Sequence, residues 1–261
     1  MTGIEWTEKT WNPLTGCDKI SAGCKHCYAE TLSKRLHAAG NPRYKNGFEL
    51  TLHWDKLDEP AKWRDPTVVF VNSMSDLLHR DVPSDFIDRA FDTMATTAAR
   101  HTYQVLTKRP DRWAEVSSRV MTAHGAWPVN VWPGTTVENR AALARIEHLA
   151  AAGDDNTIRM LSVEPLLESL VETTADDLGK RMKAARIGWV ITGGEAGFKA
   201  RPAEMQWFRE VRDACQSAGI AYFHKQHGGR GVTKTAKSGG VMATIDGVLH
   251  HNYPDARTAS V

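Results

Sequence analysis

The sequence predicts an α/β protein, a single and partial TIM-type (β/α) barrel with parallel strands. Three observations carry this. Short β-branched runs recur along the chain, segments with helix chemistry separate them, and 261 residues is about the length of one full or slightly incomplete barrel. Two small domains fit the same length. A doubly wound open sheet is the architectural alternative, but no Gly-x-Gly-x-x-Gly follows any strand-like run, as a dinucleotide-binding sheet requires.

Taken in order, Tyr28 to Ala38 has helix character, and Val68 to Asn72 is the clearest strand. Pro83-Ser84-Asp85 begins a helix running to about Ala99, with Phe86, Ile87, Ala90, Phe91 and Met94 on one stripe. Tyr103 to Thr107 is the next strand, and Pro110 stands in first-turn position before a helix from Asp111 to Ala123. A strand from Asn130 to Thr135 leads to a helix from Glu138 to Ala151 and then to the strands Arg159 to Val163 and Trp189 to Thr192. Pro202 opens a helix that ends near Ala218-Gly219, before a last strand from Ala221 to His224. Strand, loop and helix repeated in this way imply parallel strands joined by right-handed crossovers. Residues 1–227 are thereby expected as the barrel, and 228–261 as a basic, glycine-containing C-terminal extension.

At 41% hydrophobic and 25% charged residues the chain has the composition of an ordinary globular protein. Its net charge of +2 gives no global attraction to a polyanion, yet the charge is uneven. From Ala221 onward Lys225, Arg230, Lys234, Lys237 and Arg257 face two acids, Asp246 and Asp255, a pattern shared by phosphate-contacting segments and by solvated tails. Met1 to Lys9 has two acids and no apolar core, unlike a signal peptide. No run approaches the roughly 18 apolar residues of a spanning helix. Both points set the expectation of a cytoplasmic protein without membrane contact.

Chemistry in either α/β architecture belongs at the carboxyl ends of the strands. Those ends are polar here: Asn72-Ser73-Met74-Ser75-Asp76, Thr107-Lys108-Arg109, Thr135-Thr136-Val137-Glu138-Asn139, Glu164-Pro165, Gly193-Gly194-Glu195 and Lys225-Gln226-His227. A ring of this kind predicts an active site for a charged ligand with several polar groups.

Upstream stand Cys17, Cys24 and Cys27, spaced Cys-x6-Cys-x2-Cys, with Gly16 and Gly23 before two of them to let the backbone turn tightly. Cys215 lies apart among Val211, Ala214 and Ala218 and reads as packed core. A chain of this length needs no disulfide staple, so a metal or cluster site is the better reading of the loop. Three alternatives stand: buried structural cysteines, a zinc site completed by His26 or a distant histidine, and ligation of an iron–sulfur cluster. A structural zinc closes its tetrahedron with four protein ligands, whereas three thiolates leave one iron of a four-iron cluster open.

The stretch Trp11 to Glu30 resembles the N-terminal three-cysteine signature of a bacteriophage and prophage protein family that is similar to radical S-adenosylmethionine enzymes. The resemblance continues through Val69 to Leu77, Leu106 to Pro110, Ser162 to Leu166 and Gly193-Gly194-Glu195, most of the chain to about His227. The superfamily usually has Cys-x3-Cys-x2-Cys, and the first spacing here is longer by three. The resemblance implies a radical-S-adenosylmethionine-like barrel in which Cys17, Cys24 and Cys27 hold a [4Fe-4S] cluster and S-adenosyl-L-methionine binds its open iron. An external electron donor then drives formation of a 5′-deoxyadenosyl radical. His26 and Tyr28 are implied near the adenine, Ser73, Ser75 and Asp76 near the cofactor amino group, and Lys108 or Arg109 at its carboxylate. Glu138 or Glu164 would receive the ribose hydroxyls, and Glu195 would serve cofactor or substrate. No residue is assigned as a general acid or base.

With a phage origin, the expected substrate class is a nucleic-acid base or nucleotide in the host cytoplasm. Two other functions compete. One is a zinc-stabilised nucleic-acid-binding or host-interaction protein without catalysis, and the other is a degenerate barrel that binds a host partner. Acids at the strand ends favour the enzyme.

Overall fold

A computed structural model describes residues 4–229 and 244–255. Arg230, Lys234, Lys237 and Arg257 of the expected basic extension lie outside the described residues. The chain divides into two compact units, one of residues 1–133 with 151–157 and one of residues 134–150 with 158–261.

In the first unit parallel strands follow the order β1 (Lys9–Trp11), β4 (Thr67–Val71), β5 (His101–Thr107) and the first half of β6 (Val131–Thr136). Two short strands, β2 (Leu14–Thr15) and β3 (Thr51–Leu52), pair antiparallel beside the cysteine loop. Register places Trp11 beside Val71 and Val71 beside Val105. All three are fully buried, as near-continuous apolar runs in a parallel sheet covered on both faces should be. Helix α1 (Tyr28–Ala38) has the expected bounds. Helix α2 (Ser84–Thr96) buries the expected stripe of Phe86, Ile87, Ala90, Phe91 and Met94. Pro110 opens a 3-10 turn before α3 (Trp113–His124), which Gly125 terminates at φ +79°.

The second unit holds the rest of β6, then β7 (Arg159–Val163), β8 (Ile187–Gly193) and β9 (Ala221–Gln226), all parallel. Pro133 has no N–H to give to a ladder, and pairing with β7 begins at Gly134. In both units the strand order ascends with the sequence and lacks the reversal of a doubly wound sheet. The winding is that of a (β/α) barrel, and the doubly wound alternative is set aside.

The helix expected from Glu138 to Ala151 is much shorter. Asn139 accepts from the backbone of Ala142 at 3.1 Å and caps a 3-10 turn, so α4 covers Arg145–Leu149 alone. Helix α5 (Ala175–Ala184) was unexpected. Thr174 caps it by accepting from Asp177 N at 3.1 Å, and it buries Leu178 and Met182. Helix α6 (Met205–Ala218) contains Cys215, fully buried as expected. A hairpin of β10 (Thr244–Ile245) and β11 (Val248–Leu249) follows. His224 N then donates to His250 O at 2.8 Å and Asn252 N to Tyr222 O at 3.1 Å. The described part of the expected extension is thus fastened to β9. Among the described residues no helix is long and apolar enough to cross a membrane.

Candidate functional site

The cysteine loop in the first unit is tied down on two sides. Gly16 N donates to Met74 O at 3.1 Å, Ser75 Oγ donates to Leu14 O at 2.9 Å, and Cys17 N donates to Phe48 O at 3.2 Å. Gly16 has φ +83°, and a Cβ there would stand 2.2 Å from the Glu49 carbonyl oxygen, so this glycine is required by conformation and by space. Gly23 instead lies inside a 3-10 turn, Ala22–Cys24. Cys27 is the N-cap of α1, the expected helix N-terminal position. The three loop cysteines are half-buried and free of disulfides.

The residues after β4 hold this loop. Asn12 Oδ1 accepts from Met74 N at 3.0 Å and from Ser73 Oγ at 3.2 Å. Tyr28, on the exposed side of α1, donates its hydroxyl to the Ser73 carbonyl, so two residues expected around one cofactor do meet. Asp76 is buried and accepts from Leu78 N at 3.0 Å, Thr107 Oγ1 at 2.7 Å, Lys108 N at 3.1 Å and Arg109 Nη1 at 3.0 Å. Arg109 is itself 8% exposed, and the same Nη1 donates to Cys17 Sγ at 3.6 Å. Expected at a cofactor carboxylate, this guanidinium is engaged between Asp76 and the first cysteine. His26 is half-buried beside Cys27.

The environments of two thiols differ. Burial and the Asp76 charge push Cys17 up to about 11, against the pull of Arg109. Burial also raises Cys24, but backbone hydrogen bonding at Ile20, the Lys108 charge and the Ser21 hydroxyl outweigh it and set the thiol below its ordinary value.

An open cleft beside Cys17 is lined by Asp18, Lys19, Ile20, Arg80 and Arg109. His79, which the sequence did not single out, lies at its edge. Its Nε2 is 3.1 Å from Asp18 Oδ2, while Nδ1 is 3.7 Å from Asp81 Oδ2 and accepts from Asp81 N at 3.2 Å. The two ring nitrogens face opposite ways, and Arg80 also reaches Asp18 at 3.3 Å. Asp18, His79 and Asp81 cluster tightly enough to invite a cation, yet Arg80 already pairs with Asp18 and the ring contacts brace the cysteine loop.

In the second unit three expected glutamates lie at or just beyond the ends of β6, β7 and β8, each paired with a cation. Arg145 Nη1 donates to Glu138 Oε2 and to Thr136 O, both at 2.8 Å. Lys225 Nζ donates to Glu164 Oε1 at 2.6 Å. Arg201 holds Glu195 through its backbone N and Nε, both at 2.9 Å, and through Nη2 at 2.6 Å. Glu138 and Glu195 are buried, where a carboxylate needs hydrogen-bonded partners of this kind. Lys225, counted in the expected basic segment, is engaged by Glu164. Arg145 and Arg201 escaped the sequence reading because both lie several residues beyond the strand ends they serve.

Three thiols on one short loop, none spent on a disulfide, with cations beside two of them, form a donor set suited to an iron–sulfur cluster. Residues 1–254 match the model of a family described as a protein of unknown function, DUF5131. The chain belongs to the DUF5131 family. No curated protein and no solved structure matches it. The DUF5131 match runs past residue 228 and takes in the hairpin fastened to β9. Phage origin and likeness to radical S-adenosylmethionine enzymes rest on the motifs alone.

Proposed function

We propose that the chain is a radical S-adenosylmethionine-type iron–sulfur enzyme that modifies a nucleic-acid base or nucleotide, built on a partial barrel of that kind. The observation that carries this reading is the anchored loop of three free thiols, one fewer than a closed structural metal site uses. When bound, a [4Fe-4S] cluster with S-adenosyl-L-methionine supplies one-electron cleavage that yields a 5′-deoxyadenosyl radical.

Cys17, Cys24 and Cys27 would hold the cluster. Gly16 and Ser75 fix where the first thiol sits, and the N-terminus of α1 favours negative charge at the third. Tyr28 and Ser73, joined by a hydrogen bond, form a polar edge beside the loop for the nucleoside end of the cofactor. Asp76, saturated by four donors, acts through Arg109 rather than by direct contact. The exposed cations Lys25, in the loop, and Arg35, on α1, suit phosphate contact, which supports the substrate class. A reducing cytoplasm suits free thiols.

Anaerobic purification with iron, sulfide and zinc analysis tests the reading. About four irons and four sulfides per chain, and 5′-deoxyadenosine released on adding dithionite and S-adenosylmethionine, are expected. A Cys24→Ala control should release none. Stoichiometric zinc in a colourless protein would overturn the cluster and favour the zinc-stabilised alternative. Binding to tRNA or DNA that does not weaken with salt would remove the nucleic-acid assignment.

A further inference from the structure

The guanidinium of Arg109 connects a buried carboxylate to a cysteine sulfur. Its Nη1 lies 3.0 Å from Asp76 Oδ2 and 3.6 Å from Cys17 Sγ. The side chains of Arg109 and Asp76 are 9% and 7% exposed, so water screens this pair little. Asp76 is in turn fixed by Leu78 N, Thr107 Oγ1 and Lys108 N, and Arg109 N donates to Thr107 Oγ1 at 2.9 Å. These contacts fix the carboxylate that holds the guanidinium, and Nη1 of that guanidinium also donates to sulfur.

We propose that Arg109 is a positioning residue that donates to the Cys17 sulfur and raises the reduction potential of the cluster held there, with Asp76 setting its orientation and opposing its charge. This rests on the iron–sulfur reading above and goes beyond it by removing Arg109 from the cofactor carboxylate. Hydrogen bonds to cluster sulfurs and nearby charge are two levers on a cluster's potential. One-electron reduction by an external reductant adds a negative charge to the cluster. A cation beside a ligand sulfur stabilises that reduced form, and a carboxylate destabilises it. At the Cys17 sulfur the two groups oppose each other, the guanidinium by direct donation at 3.6 Å and the carboxylate through its charge and its hold on Arg109.

The two residues then act in opposite directions, which a purely structural pair would not. The full chain is purified anaerobically as wild type, Arg109→Gln, Arg109→Lys and Asp76→Asn. Iron and sulfide are measured, and the cluster is titrated with dithionite under electron paramagnetic resonance detection. Arg109→Gln is expected to lower the potential. Asp76→Asn, which leaves the cation but removes the anion, is expected to raise it. Arg109→Lys keeps the charge without the fork that spans both partners, and should fall between wild type and Gln. If Gln loses its iron, the Lys and Asn variants decide by the same opposite signs. Retained iron with no shift, or shifts of one sign, overturns the proposal while leaving the cluster standing, and so does loss of iron in all three variants. Wild-type protein without iron refutes the cluster reading itself.

Discussion

Arg109 donates to Asp76 at 3.0 Å with both side chains less than a tenth exposed. Removing one member of such a pair strands the other's charge, at a cost of about 3–5 kcal/mol. Asp76→Ala should therefore lower the unfolding free energy read from urea denaturation by an amount in this range. Asp76→Ala combined with Arg109→Leu should cost less than the sum of the single changes, because no charge is left behind. Strict additivity would show that the pair is not coupled.

Gly16→Ala tests the anchoring of the cysteine loop. The new methyl would meet the Glu49 carbonyl at 2.2 Å in a left-handed conformation. A loss of about 1–3 kcal/mol is expected, together with weaker iron incorporation, since Cys17 is the next residue. Wild-type stability and metal content would show that the loop tolerates another path.

Acid should unfold the chain partly through His224. Burial, helped by the charges of His227, His250 and His251, holds it down to about 3 from an ordinary 6.5. Between those values the unfolded chain binds a proton that the folded chain refuses, so stability falls as pH drops from about 6.5 toward 3. Its Nδ1 lies 2.9 Å from Thr192 Oγ1, a contact that His224→Gln can keep in part. The variant should show a shallower loss of stability across that window, and parallel curves would contradict the assignment.

Cys215 should be inert in the folded protein. It is fully buried in α6, and burial raises its thiol. Alkylation of metal-free protein under native conditions, read by mass spectrometry, should label Cys24 and Cys27 first and Cys17 more slowly, its thiol being raised as well, with the fourth adduct appearing only on denaturation. Native labelling of Cys215 would mean that the second unit opens readily.

How far the sequence could be read follows from where its signals lie. The α2 stripe was legible because five apolar side chains repeat at helical spacing, and all five are buried. The loop was legible because Cys17, Cys24 and Cys27 are close in the chain. Helix α5 was not, since its apolar face is two residues, Leu178 and Met182, among charges and a glycine. Gly179 packs there because a Cβ would meet the Ala214 carbonyl at 2.6 Å, a reason invisible without α6. The partners of the strand-end acids were equally hidden. Glu138 and Glu195 could be placed by their strands, but Arg145 reaches back from the start of α4 and Arg201 from the irregular stretch before α6. The Arg109 contact to Cys17 joins residues 92 positions apart, beyond any local pattern.

On the proposed reading the three-thiol loop holds an iron–sulfur cluster rather than zinc, and metal and sulfide analysis of anaerobically purified protein separates the two. A brown protein with about four irons and four sulfides per chain is predicted, and these should be lost in Cys17→Ala, Cys24→Ala and Cys27→Ala but kept in Cys215→Ala. A colourless protein with one zinc and no sulfide would contradict it.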